Sequence, residues 1–291
     1  MLRAVLLGPK GQLGTDIRGL NESCDQPLDI TCIGRSQLDL SDLDATARAL
    51  RNLEFHVLIN CSSYHKTDEV ERNADLAFRI NAHLVRLLSE ICMDKKARFV
   101  HFSTDYVFGG GGHSEPIPEV AAKAPINVYG ASKCMGENLA ALVGCDTLIL
   151  RVASLFGVAG ASGKGGNFVE TMLRLGKERG LLNVVNDQYM SPTATADVAD
   201  ATLKLIGVGA PAGIWHVVNT GAASWYDFAK QIVACSGIAA EVNPIQSSDY
   251  PTPARRPSYS VLSNSKLGSA LGEIRTWKEA LKDYMIAKGY G

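Results

Sequence analysis

Residues 3–14 read RAVLLGPKGQLG, a short apolar run that leads into three glycines at Gly8, Gly11 and Gly14. The apolar run predicts a buried strand, and the G-x-x-G-x-x-G spacing predicts a tight turn into a helix. Glycines at such a turn let the backbone approach a pyrophosphate, whose charge then lies at the N-terminus of the helix. A purely structural Gly-rich turn is the alternative for this stretch taken alone.

Apolar runs and helical patterns go on alternating after this turn. Further strands are predicted in DITCIG (29–34), HVLINCS (56–62), ARFVHFST (97–104), TLILRVAS (147–154) and IWHVVNT (214–220). Residues 41–53 predict a helix with Ser41 as its N-cap, and residues 75–96 predict one long amphipathic helix. Because strands that alternate with helices pair in parallel, the predicted fold is α/β: a doubly wound, Rossmann-type parallel sheet with its ligand at the carboxyl ends of the strands.

Composition narrows the class of partner. The chain has 291 residues, 20% of them charged and 46% hydrophobic, which indicates a globular protein. A formal net charge of −1 and the lack of a basic run argue against a nucleic-acid surface and favour a small-molecule partner. The apolar N-terminal run stops at Gly8, too early for a signal peptide, and no stretch approaches a membrane span.

Cysteine and histidine spacing indicates the compartment and argues against a metal site. The seven cysteines show no C-x-x-C spacing, so Cys32, Cys61 and Cys134 are interpreted as buried thiols in a reducing cytoplasm. The six histidines show no ligand spacing, and no metal is predicted. An acidic cluster at Asp68, Glu69 and Glu71 is interpreted as a helix N-terminus.

The end of the second predicted strand indicates which dinucleotide binds. Gly34-Arg35 stands where an NAD-preferring site often carries an acidic residue. Arg35 could pair with a 2′-phosphate, and Lys10 in the Gly-rich turn could add a second positive charge. NADPH is therefore predicted over NADH, with a solvated surface arginine as the alternative.

A tyrosine and a lysine four residues apart supply candidate proton chemistry. Tyr129 and Lys133 lie in VYGASKCMGE (128–137), about 25 residues after Ser103 and Thr104 at the end of the fourth strand. Residues at i and i+4 share a helix face, so the ammonium is expected to bring the phenol pKa toward the working pH. Thr104 would hydrogen-bond a substrate carbonyl while Tyr129 donates the proton. Alone, Y-x-x-x-K is common on helix surfaces; after the Gly-rich turn and S-T-D it indicates a ketoreductase.

With those residues assembled, the chain resembles the dTDP-4-dehydrorhamnose reductase family of the extended short-chain dehydrogenase/reductases over nearly its full length. The resemblance is carried by GPKGQLG, LDLSD, INCSSYHKTDEVE, STDYVFGG, YGASKCMGE, GNFVETMLRL, NDQYMSPT, SWYDFA and ARRPSYSVLSNSKL. It implies reduction of the 4-keto group of a dTDP-6-deoxy-L-lyxo-hexulose to give dTDP-L-rhamnose, with hydride from NAD(P)H. A nucleotide-sugar substrate is the implied partner, and a homodimer is left open.

The resemblance also implies the site residues. Its catalytic set would be Thr104, Tyr129 and Lys133. Contacts to the cofactor would come from Gly8, Lys10, Gly11, Gln12, Leu13, Gly14, Arg35, Asp39, Leu40, Cys61, Ser62, Ser63, Tyr64, Asn81, Tyr129 and Lys133. Contacts to the nucleotide sugar would come from Thr104, Asp105, Phe108, Asn167, Gln188, Arg255 and Arg256.

The second half of the chain predicts a division into two interleaved regions. From about residue 156 strands become sparse, and glycine and serine collect in GVAGASGKGGN (157–167). The NAD(P)-binding Rossmann domain is predicted at 1–155 and about 192–220. A smaller C-terminal substrate-binding region is predicted at about 156–191 and 221–291.

Three departures from the family pattern fall on the side of the sugar. Ser154 stands where the family often has a tryptophan, and Met190 stands in a glycine position. The loop after STDYVF, which usually carries Asp-Gly, here reads GGGGH (109–113). Reductase chemistry is thus predicted more firmly than the identity of the hexose.

Two other functions stay open at this point. One is an epimerase or dehydratase that retains its NAD, although the acidic pair common in such dehydratases is missing because Tyr106 follows Asp105. The other is a non-catalytic regulatory subunit of the methionine adenosyltransferase type, which the intact Thr104, Tyr129 and Lys133 argue against.

Overall fold

Parallel strands form the centre of the protein, in a computed structural model that describes residues 1–160 and 166–290. The strands are β1 (Arg3–Leu7), β2 (Asp29–Ile33), β3 (Val57–Asn60), β4 (Arg98–Thr104), β5 (Thr147–Val152), β6 (Leu155–Phe156), β7 (Leu181–Val185), β8 (Tyr189–Met190), β9 (Thr193–Ala194), β10 (Gly213–His216), β11 (Ala223–Ser224) and β12 (Glu241–Ile245). The helices are α1 (Gln12–Asn21), α2 (Leu43–Arg51), α3 (Thr67–Val70), α4 (Ala74–Phe78), α5 (Leu84–Lys95), α6 (Val128–Val143), α7 (Phe168–Arg179), α8 (Thr195–Gly207), α9 (Trp225–Ser236), α10 (Ser265–Leu271) and α11 (Trp277–Ala287).

The central sheet has six strands in the order β2-β1-β3-β4-β5-β10, and every neighbouring pair is parallel. From β1 the chain moves outward to β2 and then returns to the other side of β1, so the winding reverses between β1 and β3. Ligands of doubly wound sheets bind outside the carboxyl ends of the strands at such a reversal. The predicted α/β fold with a Rossmann-type parallel sheet is confirmed.

Apolar side chains pack on both faces of this sheet. One buried cluster joins strand residues such as Leu6 and Leu150 to α1 and α8, and another joins Val5 and Phe99 to α5. A separate buried cluster lies among α7, α9 and α11, around Phe228 and Trp277. No helix within the described ranges is both long and apolar enough to cross a membrane.

Two local predictions need correction. The N-cap of α2 is Asp42, whose side chain accepts a hydrogen bond from the Ala45 N–H at 2.9 Å. The Asp42 carboxylate reaches the free N–H groups of the first helical turn, so Asp42 and not Ser41 caps the helix. Ser41 instead donates hydrogen bonds to Asp39.

The second correction concerns the predicted long helix at residues 75–96. It is broken by a π-helical turn at Arg79–His83, so α4 and α5 are separate elements. The Gly/Ser-rich stretch predicted at 157–167 lies partly outside the described residues.

Candidate active site

The turn after β1 lies at the sheet's reversal point, against the chain that leaves β3. Gly8 has φ +78°, and a Cβ there would meet the Cys61 carbonyl carbon at 3.2 Å and the Ser62 nitrogen at 3.3 Å. A Cβ at Gly14 would collide with the Gly8 carbonyl oxygen. Both positions therefore require glycine, and the turn delivers the chain into the N-terminus of α1, where the end of the helix dipole favours an anion.

A cavity of about 450 Å³ opens beside this turn, along the carboxyl ends of the strands. Gln12 contributes a buried side-chain oxygen, Oε1, which has no hydrogen-bond partner among the described residues. A buried polar atom without a partner is costly, so this oxygen fits a site built for a polar ligand. Predicted site residues that line the cavity are Gly11, Gln12, Leu13, Gly14, Cys61, Ser63, Thr104, Asp105, Tyr129, Lys133 and Asn167.

Several predicted cofactor residues lie outside the cavity lining. Lys10 and Arg35 are exposed at the carboxyl ends of β1 and β2, which leaves both side chains open to an anion. Asp39 is also exposed and accepts hydrogen bonds from the backbone N–H and hydroxyl of Ser41, which hold its pKa below the usual value. Leu40 packs against the buried cluster around Phe99.

A second group shapes the wall after β3. Asn81, from the π turn, accepts the Tyr64 N–H at 2.9 Å and donates to the Tyr64 carbonyl at 3.0 Å and the Ser132 hydroxyl at 3.0 Å. It also accepts the Ser63 hydroxyl at 3.1 Å. Asn81 therefore ties this loop to α6 and fixes where Ser63 points. Burial raises the pKa of the Cys61 thiol, so this wall residue is an apolar surface.

Hydroxyl groups converge on the phenol of Tyr129. Thr104 and Ser63 line the same cavity as Tyr129, and their hydroxyl groups act to lower its pKa. Burial outweighs them and, together with the charge of Asp105, raises the pKa of Tyr129 to about 12. The phenol therefore keeps its proton at neutral pH, the form that a proton donor needs.

Asp105 is a buried carboxyl directly behind this group. Its oxygens accept the Thr104 hydroxyl at 2.9 Å and the Ser260 hydroxyl at 2.6 Å. Burial raises its pKa to about 6, while those two hydrogen bonds act in the opposite direction. Thr104 and Asp105 are thus hydrogen-bonded to each other, and both line the cavity together with Tyr129.

The Lys133 amine makes different contacts from those that the helix spacing predicts. It lines the cavity, but its Nζ donates to the Phe102 carbonyl at 2.5 Å and lies 3.1 Å from His101 Nε2, and its charge is not among the causes that shift Tyr129. Burial lowers the pKa of Lys133 to about 7. The expectation that its ammonium lowers the tyrosine pKa is therefore wrong for this arrangement, because the amine turns toward β4.

The helix that carries Tyr129 is fixed at its start by residues that sequence reasoning missed. Asn127 is the N-cap of α6 and accepts the Gly130 N–H at 2.7 Å. Glu71, which follows α3, accepts the Val128 N–H at 2.8 Å. A Cβ at Gly130 would collide with the Tyr106 carbonyl oxygen, so α6 lies directly against the segment after β4.

A buried ion pair lies below the cavity and was also missed. Arg151 Nε and Nη2 donate to the two Glu137 oxygens at 2.8 and 2.7 Å, and Ser103 Oγ donates to Glu137 at 2.5 Å. Phe108 is fully buried 4.8 Å from the Arg151 guanidinium, so this predicted substrate residue packs against the ion pair and does not line the cavity. The sequence feature that could have pointed to Glu137 is its position four residues after Lys133, on the same face of α6.

The side of the cavity near α7 and α9 is lined by aromatic and amide groups. Asn167, the N-cap of α7, donates to the Gly157 carbonyl at 3.1 Å and the Tyr284 hydroxyl at 3.3 Å. The rings of Phe168 and Trp225 contact each other in a tilted arrangement, with centroids 4.7 Å apart, and both residues line the cavity.

The positions that depart from the family pattern border the same side. Ser154 lines the cavity with a left-handed backbone, φ +42°. Gln188 and Met190 border a small cleft that shares Asp105, Ser154 and Trp225 with the main cavity.

The two predicted arginines differ in their contacts. Arg256 Nη2 donates to Asp68 at 2.8 Å, so an acidic residue of α3 already pairs with this guanidinium. The Arg255 side chain is exposed, while its carbonyl accepts the Asn127 amide at 2.8 Å. Both arginines therefore lie on the loop that closes over the start of α6.

Comparison with known proteins finds relatives that match nearly the whole chain. A family profile described as the RmlD substrate binding domain matches residues 2–289. A dTDP-4-dehydrorhamnose reductase of Mycolicibacterium smegmatis is 34% identical over 287 residues, which span 98% of this chain and 85% of the relative.

Solved structures of two such reductases superpose on the fold. That from Clostridium acetobutylicum has a TM-score of 0.91 at 35% identity, covering 99% of this chain and 100% of the other. That from Bacillus anthracis, in complex with NADP, has a TM-score of 0.89 at 35% identity, covering 98% of this chain and 99% of the other.

Proposed function

The chain belongs to the dTDP-4-dehydrorhamnose reductase family, and from that membership we propose how its own residues carry out the reaction. It is an NADPH-dependent oxidoreductase that reduces a dTDP-linked ketosugar. The finer proposal is that the substrate is dTDP-4-dehydrorhamnose, reduced at its 4-keto group to dTDP-L-rhamnose. The observation that carries the residue assignment is that Thr104, Ser63 and a protonated Tyr129 line one cavity beside the Gly-rich turn.

The Gly-rich turn and the loop after β3 are proposed to hold the cofactor. The turn leaves room for a pyrophosphate at the N-terminus of α1, and the unpartnered Gln12 Oε1 faces a polar ligand there. Arg35 and Lys10 are proposed to pair with the 2′-phosphate, since both are exposed near this end of the sheet. When bound, NADPH supplies the hydride.

Tyr129 is proposed to deliver the proton. Its raised pKa keeps the phenol protonated, and reduction of a ketone needs one proton at the carbonyl oxygen. Thr104, with its hydroxyl beside the phenol, would give that oxygen a second hydrogen bond as negative charge develops. The Thr104 proton points to Asp105 in this arrangement, so it must turn toward the substrate for that role.

The sugar side is proposed to use the groups that border the cavity near α7 and α9. Asn167 and Gln188 offer amides, and the Phe168–Trp225 pair offers an apolar face for a deoxysugar. The exposed Arg255 is proposed to contact the diphosphate, and Arg256 could do so only by sharing its guanidinium with Asp68.

Other features of the assignment remain proposals. The division into a Rossmann domain and a substrate-binding region is supported by the separate buried cluster among α7, α9 and α11. A homodimer and a cytoplasmic location are predictions from the sequence.

An NADPH-oxidation assay over dTDP- and UDP-linked 4-ketosugars tests the proposal. We expect turnover with the dTDP-linked 6-deoxy-4-hexulose, and a kcat loss of about 10²–10⁴-fold in Tyr129→Phe. Tyr106→Phe is the matched control, because Tyr106 lines the same cavity 5.8 Å from the Tyr129 ring. Equal turnover of wild type and Tyr129→Phe would exclude Tyr129 as the donor. Tightly retained NAD without net NADPH oxidation would indicate an epimerase or dehydratase.

A further inference from the structure

Lys133 ends in a buried polar chain that leads away from the cavity. Its Nζ donates to the Phe102 carbonyl at 2.5 Å and contacts His101 Nε2 at 3.1 Å. The opposite ring nitrogen, His101 Nδ1, lies 3.2 Å from Asn60 Nδ2. Asn60 then contacts Ser62, at the start of the loop that lines the cofactor side. Lys133, His101 and Asn60 are each about 1% exposed or less, so these side chains depend mainly on one another and on nearby backbone groups for hydrogen-bond partners.

The orientation of the Asn60 amide follows from a backbone group. The Ser62 N–H can only donate, and it lies 3.0 Å from Asn60 Oδ1, which also accepts the Ser62 hydroxyl. The amide nitrogen therefore faces His101 and donates to Nδ1. This assignment rests on the hydrogen-bond network, which is the ordinary basis for placing amide groups and imidazole protons.

The same logic continues through the imidazole to the lysine. Because Nδ1 accepts from Asn60, the proton of a neutral His101 ring lies on Nε2. An Nε2–H group can bond Lys133 only if the lysine offers a lone pair, and an ammonium has none. Lys133 therefore matches the chain as a neutral amine, which accepts from His101 and donates to the Phe102 carbonyl.

The charges around Lys133 agree with this pattern. Burial lowers the pKa of Lys133 to about 7 and holds the pKa of His101 well below its usual value. From its own helix Lys133 faces Tyr129, which stays protonated, and Glu137, which raises the lysine pKa. Glu137 is already engaged by Arg151 from β5 and by Lys123 from the segment before α6, at 2.7 and 3.3 Å.

We propose that His101, oriented by Asn60, is a positioning residue that holds Lys133 as a neutral amine turned toward β4. The inference rests on the proposed catalytic role of Lys133, since it concerns the state from which that lysine enters the reaction. It assigns Asn60 and His101 to the reductase site although neither lines the cavity. Protonation of the lysine therefore competes with its contact to the His101 Nε2–H.

The first test is the tautomer of His101, read by ¹⁵N NMR on the wild-type protein without added cofactor. His101→Gln identifies the signal among the six histidines. We expect the Nε2–H form across neutral pH. An Nδ1–H form, or an imidazolium at pH 7, would overturn the proposal. The measurement involves no turnover, so it is independent of whether Tyr129→Phe abolishes activity.

The second test uses Asn60→Asp, which keeps the shape of the side chain and reverses the direction of the hydrogen bonds from residue 60 through His101 to Lys133. A carboxylate accepts from both the Ser62 N–H and the imidazole, so the ring proton moves to Nδ1 and Nε2 can accept from an ammonium. Titration of Lys133, followed by ¹³Cε NMR and identified with Lys133→Met, should centre at about 7 in the wild type. In Asn60→Asp we expect a rise of about one pH unit or more.

A new carboxylate also acts on the lysine directly through its charge, and a third variant separates that effect. In a His101→Leu background the imidazole relay is gone, and Asn60→Asp should then move the Lys133 titration by much less. An equal shift in both backgrounds would show that His101 transmits nothing, and the positioning role would be wrong.

Discussion

Glu71 accepts a hydrogen bond from the Val128 N–H at 2.8 Å, so an acidic residue next to α3 caps the helix that carries Tyr129. The two residues are 57 positions apart, and the contact joins the loop after β3 to α6. A carboxylate at a helix N-terminus accepts a hydrogen bond from a free N–H group, and its negative charge interacts favourably with the positive end of the helix dipole.

Glu71→Ala should therefore lower both stability and turnover. We expect a loss of about 1 kcal/mol in the free energy of unfolding, measured by urea denaturation, because the first turn of α6 loses one cap. Turnover should fall several-fold, since Tyr129 lies in that turn. Glu69→Ala is the control, because exposed Glu69 pairs with Lys66 on the surface and, within the described residues, its side chain makes no hydrogen bond to α6. An equal loss in the two variants would exclude a specific role for the cap.

Asp105 should make stability depend on pH in a defined window. Its pKa is raised from 3.8 to about 6, so between these values the folded protein binds more protons than the unfolded chain. The free energy of unfolding contributed by Asp105 therefore falls as pH rises through this window and is constant above it. Relative to the wild type, the free energy of unfolding of Asp105→Asn should therefore rise by up to about 2 kcal/mol as the pH goes from about 4 to about 6.5.

Urea titrations at several pH values check this expectation, with exposed Asp75→Asn as a control for net charge. A difference between Asp105→Asn and wild type that stays flat with pH would mean that the carboxyl titrates normally in the folded protein. Activity is a separate readout: the variant should lose turnover, because Thr104 bonds Asp105 directly.

Tyr284 links the last helix to the sugar side of the cavity. Its hydroxyl donates to Glu170 at 2.5 Å and accepts the Asn167 amide at 3.3 Å. Tyr284→Phe should raise KM for the nucleotide sugar several-fold and cost about 1 kcal/mol of stability, because Asn167 loses a partner.

Tyr290→Phe is the matched control for that variant. Tyr290 donates to the other oxygen of Glu170 at 2.7 Å, and within the described residues it makes no hydrogen bond to Asn167. We expect Tyr290→Phe to lower stability while KM stays at the wild-type value. If both variants raise KM alike, the hydroxyl of Tyr284 acts through Glu170 and α7 and not through Asn167.

The parallel sheet could be predicted from the sequence because local residue patterns determine where its strands lie. Buried strands appear in the sequence as apolar runs, and Gly14 is required by a contact within the turn itself, whereas Gly8 is required by its left-handed backbone and by the loop after β3. The same reasoning placed Ser41 at the N-cap of α2, although two neighbouring residues could serve and the geometry selects Asp42.

The missed parts of the site depend on contacts between distant segments. Helix spacing correctly puts Tyr129 and Lys133 on α6, but it cannot show that the Lys133 amine turns to His101 and Phe102 on β4. Likewise, Glu71 becomes a cap only when its loop meets α6. Such pairings follow from packing of the whole chain and leave no periodic trace in the sequence.

The π turn at Arg79–His83 rotates α5 about the helix axis relative to α4. Each residue added to a helix rotates everything beyond it by about 100°. The wider turn therefore lets Asn81 face Tyr64 and Ser132 while the apolar side of α5 still faces the sheet. An uninterrupted helix would satisfy one of these two directions and turn the other away. Deleting a single residue here would give one continuous helix and turn Asn81 away from Tyr64 and Ser132. Engineering of this region should therefore keep α4 and α5 as two helices with the rotation between them unchanged.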